Sequence, residues 1–259
     1  MEGEASASCY PKMIPANKNP ILDSLLYAYF RCVFRSRFSG VYASGIEHYK
    51  ELDRSRPAIC FANHTNWWDG LVAFYLSRFN WRKKAYCMME ERQMKHYSFL
   101  AWIGAFSVDL SSSLRASASV RYALRLLEKP ESLCWIFPQS KITPSHHPIS
   151  VKEGTAYIAN RVSRTQLLPV VFRYAFFHED KPHIFVRIGA PYEGQRPVTD
   201  EVIAECLSAE LARLDEMVAQ HDLSLFQAIV PPKLSINKRW EWIRRAYCGQ
   251  LDSFNPENG

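Results

Sequence analysis

The chain has 259 residues, of which 47% are hydrophobic and 22% are charged, so it is long enough to fold around a sizeable core and does not have the composition of a disordered chain. Its net charge is +6 at pH 7, but no nucleic-acid-binding motif occurs and the basic residues do not form one stripe, which excludes nucleic acid as an expected partner. No run of about 18 consecutive apolar residues occurs, which excludes an ordinary transmembrane helix.

The cysteines favour a cytoplasmic protein. Seven are scattered along the chain, and no two have Cys-x-x-Cys spacing, so a reducing compartment is expected. The first six residues are acidic and lack an apolar core, so no signal peptide is predicted.

The first predicted segment, residues 1–38, is a polar leader followed by an amphipathic helix. The leader, residues 1–19, is predicted to be loose, whereas apolar residues recur at helical spacing from Pro20 to Arg37. Arginines gather at the C-terminal end of this helix. Two interpretations stay open: the helix packs on the core, or it lies in a membrane interface with its arginines near lipid phosphates.

Seven short apolar runs then predict strands. They lie at 39–44, 57–62, 84–89, 105–110, 133–137, 167–174 and 183–189. Helical patterns separate several of them, near 69–79, 92–102, 115–128 and 153–162. This alternation predicts an α/β domain over 39–195, with a mixed, mainly parallel central sheet covered by helices. A short polar turn between the last two runs predicts an antiparallel hairpin.

Residues 196–259 are predicted to form a C-terminal helical extension packed on the domain. A helical pattern covers 199–219, and a basic, aromatic segment follows at 238–247. Tryptophan, tyrosine and arginine favour the headgroup layer of a membrane, but the same segment could dock on the domain through its tryptophans. Both interpretations stay open.

The second strand stops abruptly before His64, and Asp69 follows five positions later on the first turn of a predicted helix. A carboxylate bonded to one ring nitrogen fixes the histidine tautomer and leaves the other nitrogen free to accept a proton. The spacing alone is weak, since His48 and Asp53 repeat it in a charged, turn-prone segment with no strand before it. The alternative is a half-buried histidine that caps the helix.

The segment Asn63-His64-x4-Asp69 resembles the first motif of the glycerolipid acyltransferase family, which includes lysophosphatidic acid acyltransferases. Segments similar to the other motifs follow in the family order, at 104–109, 135–140, 152–159 and 167–171. The resemblance covers about residues 40 to 190. It implies an α/β fold and transfer of an acyl group from acyl-CoA or acyl carrier protein to a hydroxyl, with His64 as the base and Asp69 as its partner.

The resemblance also implies a substrate-binding set drawn from these motifs. The set comprises Asn63, Gly104, Phe137, Pro138, Gln139, Ser140 and Lys141. Because the acceptor hydroxyl attacks the thioester directly, no metal and no cofactor other than the acyl donor is expected.

Positions 110, 139 and 142 depart from the family pattern. Leu110 and Ile142 stand where the family has arginines, and neither can hold a phosphate in a bidentate fork. Gln139 replaces a glutamate and suits an uncharged hydroxyl. The sequence therefore predicts a lipid-like acceptor such as a glycolipid or a carotenoid glycoside, reached from the inner face of a membrane with anionic lipid. The alternatives are a 1-acyl-glycerol-3-phosphate acyltransferase of phospholipid synthesis and a non-catalytic peripheral membrane-binding protein.

Overall fold

A computed structural model describes residues 13–80, 82–152, 154–162, 164–232 and Arg244. Helices and strands alternate along these residues. The strands are β1 (Val41–Ser44), β2 (Ala58–Ala62), β3 (Lys84–Glu90), β4 (Ala105–Val108), β5 (Ser132–Ile136), β6 (Gln166–Ala175), β7 (His183–Ile188) and β8 (Gln227–Val230). The α-helices are α1 (Pro20–Arg37), α2 (Ile46–Lys50), α3 (Trp68–Ser77), α4 (Glu91–His96), α5 (Ser113–Leu127), α6 (Thr155–Arg161) and α7 (Asp200–Ala219), and short 3-10 helices lie at Ser98–Ile103 and Leu223–Leu225.

In the described part of the chain, eight strands form one sheet in the order β4-β3-β5-β2-β6-β7-β1-β8. The pairs from β4 across to β6 are all parallel, and so is the β1–β7 pair. The pairs β6–β7 and β1–β8 are antiparallel. The predicted mixed, mainly parallel sheet and the predicted hairpin are therefore confirmed.

Helices cover the sheet on both faces, because its central strands are buried on both sides and carry continuous apolar runs. The front face packs against α1, α2, α3 and α4, and the back face packs against α5, α6 and α7. Alternate residues of each strand serve opposite faces. In β5, for example, Trp135 belongs to the front cluster and Ile136 to the back cluster.

Helix α1 has the bounds that the sequence predicts. Asn19 caps it by accepting hydrogen bonds from the backbone N–H groups of Ile21 and Leu22, and Pro20 fits the first helical position. Its C-terminal half is anchored in the front face by Phe30 and Phe34, which are buried.

The prediction of a loose leader is wrong for residues 13–19, which we call the N-terminal strap. Ile14 exchanges hydrogen bonds with Ser107 of β4 at 2.7 and 2.9 Å. Farther along, the N–H groups of Asn17 and Asn19 donate to the carbonyls of Ala101 and Trp102. β4 is an edge strand, so it offers unpaired backbone groups that a neighbouring peptide can satisfy. Residues 1–12 lie outside the described residues.

The region after residue 195 contributes both a helix and a strand. Helix α7 packs Ile203, Leu207 and Leu214 on the back face, and β8 pairs with β1 at the sheet edge. The sequence pattern predicts α7 but neither β8 nor the short α2. The basic, aromatic segment 238–247 lies outside the described residues except for Arg244, so its role stays a prediction. None of the described helices is both long and apolar enough to cross a bilayer.

A buried lysine holds together the amino ends of four central strands. Lys83 Nζ donates to the carbonyls of Asp53 and Pro130 at 2.7 and 2.8 Å, and also to that of Arg56. The Gln166 amide donates to Asp53 and Arg56 as well. Burial lowers the pKa of Lys83. This ammonium thus joins the segments that precede β2, β3 and β5, and Gln166 adds β6.

Candidate active site

The predicted contact between His64 and Asp69 is present at the carboxyl end of β2. His64 follows the last β2 residue by two positions, and its Nδ1 lies 3.0 Å from Asp69 Oδ2. This contact leaves Nε2 free of the carboxylate, and His64 lines a cavity. The ring also packs on Phe137, with 4.6 Å between ring centroids.

Asp69 is fully buried and receives hydrogen bonds from four donors. The backbone N–H groups of Thr65 and Asn66 donate to Oδ2 at 2.7 and 2.8 Å, beside His64 Nδ1. The Tyr174 hydroxyl donates to Oδ1 at 2.6 Å. Burial, followed by the charge of Asp69, raises the pKa of Tyr174 well above its usual range, so this phenol keeps its proton. The carboxylate is thus fixed in position, and it orients the imidazole.

Tyr174 is a site residue that the sequence analysis missed. It lies in β6, more than 100 residues after Asp69, and only the pairing of β2 with β6 brings the two together. The predicted strand 167–174 contains it, but no local motif distinguishes it from other strand tyrosines. The second histidine–aspartate match behaves differently, because the Asp53 carboxylate accepts from Ser55 N–H and Oγ–H.

Three of the predicted substrate-binding residues lie behind the cavity wall. The Asn63 amide exchanges hydrogen bonds with the Phe172 backbone at 2.7 and 3.1 Å, which ties the end of β2 to β6. Gln139 Oε1 accepts from His64 N–H at 2.7 Å, and Gln139 is buried. Gly104 has a φ of +105°, and a Cβ there would lie 2.6 Å from the Ala85 carbonyl. These contacts hold the segments around the site in position, and none of the three residues lines the cavity.

The other four, Phe137, Pro138, Ser140 and Lys141, line the cavity with His64. They follow β5 in a turn that is closed by a 3.0 Å hydrogen bond from Ser140 N–H to the Phe137 carbonyl. Ser140 has a φ of +62°, in the left-handed region that favours glycine. The strand ends of β2 and β5 therefore meet at one edge of the sheet, as expected for the site of a parallel sheet.

The cavity has a volume of about 430 Å³, and its lining residues come from both faces of the sheet. We call the set from the front face the front arm and the set from the back face the back arm. The front arm follows α3 past Gly70, Leu71 and Phe74 towards Ser77 and Trp135. The back arm lies between β3, β5, α5 and α6. It is lined by Tyr86, Met88, Ala116, Val120, Ile136 and Ile158.

Strand register explains why the cavity reaches both faces. β3 pairs with β5 only from Lys84 to Cys87, and the following residues, Met88 to Glu90, pair with β4 instead. Beyond Cys87 the two strands are no longer joined by hydrogen bonds, so the front and back faces communicate near His64.

A family model described as Acyltransferase matches residues 42–173. The chain belongs to the acyltransferase family. Among solved structures, the 1-acyl-sn-glycerophosphate (LPA) acyltransferase PlsC from Thermotoga maritima has a similar fold, with a TM-score of 0.56 and 18% identity. The match covers 76% of this chain and 80% of that one. A comparison with curated protein sequences gave no match. The predicted family and fold are therefore confirmed.

Apolar side chains stand at the mouth of the acyltransferase cavity. Leu110 and Ile142 line it and are 49% and 48% exposed. Among the described residues, the cationic side chains that line the cavity are those of Arg92, Lys141 and Lys152. Arg115 pairs with Asp109 at 2.9 Å. Hydrogen bonds from Ser111 and then from Arg115 lower the pKa of Asp109 to about 2.

The loop between β5 and α6 is joined to neighbouring elements of the acyltransferase site by two hydrogen bonds. Thr143 N–H donates to the carbonyl of His64 at 2.8 Å, and Arg173 donates to the carbonyl of Ser145 at 3.1 Å. The loop also carries His146 and His147. Among the residues that the structure describes, no group of His, Cys, Asp and Glu side chains could hold a metal ion.

Proposed function

We propose that this acyltransferase moves a fatty acyl group from acyl-CoA or acyl carrier protein to a hydroxyl of a lipid-like acceptor. The observation that carries the proposal is the 3.0 Å contact between His64 and the buried Asp69 at the head of an apolar cavity. The family membership supports acyl transfer, and the contact supplies its general base.

In the proposed reaction, His64 Nε2 removes the proton of the acceptor hydroxyl as the hydroxyl oxygen attacks the thioester carbonyl. Asp69 stabilises the imidazolium that forms. Collapse of the tetrahedral intermediate expels the thiolate, which takes the proton back from the imidazolium, so an ester and a free thiol result. General-base catalysis of this kind contributes about 10²- to 10⁴-fold in rate. Backbone N–H groups that follow Pro138, other than that of Ser140, are the proposed donors to the oxyanion.

The front arm is the proposed site of the acyl chain. Its walls are largely apolar, and Trp135 lies at its far end. A Cβ added to Gly70 would meet nothing within 4 Å, so this glycine keeps the entrance beside His64 open. An apolar arm also disfavours water beside the thioester, which hydroxide would otherwise hydrolyse.

The proposed acceptor has an uncharged head, as in a glycolipid or a carotenoid glycoside. Leu110 and Ile142 support this, because they present hydrocarbon at the mouth where a phosphate would need an arginine fork. Lysophosphatidic acid, on which PlsC from Thermotoga maritima acts by its name, is the alternative acceptor. A non-catalytic membrane-binding role is disfavoured by the intact contacts of His64 and Asp69.

Transfer of a labelled acyl group into a total lipid extract of the source cells tests the function. Acyl-CoA and acyl carrier protein are supplied in turn, to wild type and to His64→Ala, and the product is identified by mass. We expect a labelled ester from wild type alone, with circular dichroism confirming that the variant is folded. Equal labelling by both proteins would contradict His64 as the base.

Helix α1 is the proposed contact with the inner, cytoplasmic face of a membrane. Ile21, Leu25 and Tyr29 form a stripe on its outer side with 73%, 61% and 60% exposure. Arg31 and Arg37 are exposed towards its C-terminal end, where they can meet anionic headgroups. In this proposal both interpretations of the helix apply. Its outer side lies in the membrane interface, and its opposite side packs on the core.

Substitution of Leu25 with glutamate is expected to weaken binding to anionic vesicles by about 10-fold or more, because a buried leucine contributes about 1.5–3 kcal/mol and the new charge is repelled. Sedimentation with vesicles of phosphatidylglycerol measures it. Leu225→Glu is the matched control, because it makes the same change at an exposed leucine far from α1 in the chain. Leu225 lies in a 3-10 helix, and Leu223 and Phe226 beside it pack on the back face. An equal loss in both variants would exclude α1 as the specific contact.

A further inference from the structure

The back arm of the cavity is a binding surface that acyl transfer from the front arm leaves unused. Ala116 and Val120 form one wall, one helical turn apart on α5. Tyr86, Met88 and Ile136 form the sheet wall, on the face opposite to α3. This arm is hydrocarbon over most of its surface, so water in it is readily displaced by an apolar ligand.

Polar groups surround the back arm at the end nearer to His64. Ser140 and Lys152 line it from the loop after β5, and Thr155 lines it from the start of α6. Leu110, which is 49% exposed, also lines the cavity from the segment before α5. A ligand with a polar head beside His64 and an apolar body therefore matches the arm along its length.

We propose that the back arm binds the apolar body of the acyl acceptor, and that the acceptor is an amphiphile with an extended hydrocarbon part and an uncharged, hydroxyl-bearing head. This assignment rests on the proposed acyl transfer and assigns the two arms to the two substrates. The acyl chain enters from the front face of the sheet, and the acceptor enters from the back face.

The assignment explains how the reacting groups meet. β3 and β5 separate beyond Cys87, and His64 packs on Phe137, which directly follows β5. The thioester carbonyl and the hydroxyl then approach each other from opposite faces at the same base. Each tail fixes the position of its own reacting group, so the two are held in the geometry for attack.

Binding of dodecyl β-glucoside, below the concentration at which it forms micelles, tests the proposal in a calorimetric titration. Ala116→Phe fills the back arm. Ala118→Phe is the matched control, because it makes the same change on the same helix at a position that does not line the cavity. Gly70→Leu fills the front arm, where the open space beside Gly70 accepts a side chain.

We expect Ala116→Phe to raise the Kd for dodecyl glucoside by about 10-fold or more, since each displaced methylene costs about 4-fold in affinity. Ala118→Phe and Gly70→Leu should stay within about 2-fold of wild type. In the transfer assay, Gly70→Leu should instead shift the preferred acyl-CoA to a shorter chain.

Three results would overturn the proposal. They are an unchanged Kd in Ala116→Phe, a change in preferred acyl length in Ala116→Phe whatever its Kd, and tighter binding of lauroyl lysophosphatidic acid than of dodecyl glucoside. Because the titration needs no turnover, it remains decisive if the enzyme transfers no acyl group. Failure of the proposed function would appear separately, as no His64-dependent product in wild type.

Discussion

Asparagine in place of Asp69 is expected to lower kcat by about 10³- to 10⁴-fold with little change in KM for either substrate. The amide can still accept from Thr65 and Asn66, and Tyr174 can turn its hydroxyl to accept from the new NH₂ group. The fold should therefore persist. What is lost is the negative charge beside the imidazolium that His64 becomes in the proposed reaction.

Steady-state kinetics with acyl-CoA and the acceptor found in the lipid extract measures this loss. Asp53→Asn is the control, because it removes the aspartate of the other histidine–aspartate match, whose carboxylate accepts from Ser55 instead. We expect wild-type kcat from the control. An Asp69→Asn enzyme within about 10-fold of wild type would mean that His64 does not act as a charged intermediate in the rate-limiting step.

Methionine in place of Lys83 is expected to lower the free energy of unfolding by about 3 kcal/mol or more. The side chain keeps its length but loses all its donors, so the carbonyl of Pro130 is left without this partner, and those of Asp53 and Arg56 keep only Gln166. Each buried polar group left unsatisfied costs about 1–3 kcal/mol.

Urea unfolding, followed by far-UV circular dichroism, measures this change in stability. The next residue supplies a matched control: Lys84 is an exposed lysine with a 3.4 Å contact to Glu131, so Lys84→Met should change stability by less than about 0.5 kcal/mol. Similar losses in the two variants would show that the carbonyl contacts of Lys83 are not what stabilises the strand ends.

The sequence predicts the fold well where the information is local. Apolar runs between turns locate β1 to β7 to within about two residues, since a strand buried on both faces must be continuously apolar. β8 escapes prediction because Gln227–Val230 is short and half exposed. This segment forms a strand because it pairs with β1 at the edge of the sheet.

The same contrast between local and long-range information applies to the residues of the site. His64 and Asp69 are five residues apart, so the turn between them brings them together, and their pairing is predictable. Tyr174 and the Lys83 carbonyl contacts depend on the order of the strands, which the sequence pattern does not specify. Gln139 has the right location but faces His64 N–H rather than the cavity, because side-chain direction in a turn depends on its backbone angles.

The N-terminal strap bears on how the chain avoids self-association. Parallel sheets expose a row of unpaired N–H and C=O groups at each border, and such rows template the addition of strands from other molecules. Here residues 13–19 occupy that border at β4 through Ile14 and Ser107. A chain shortened to begin at α1 would leave the backbone groups of this border unpaired, so it is expected to precipitate even though every proposed catalytic residue is retained.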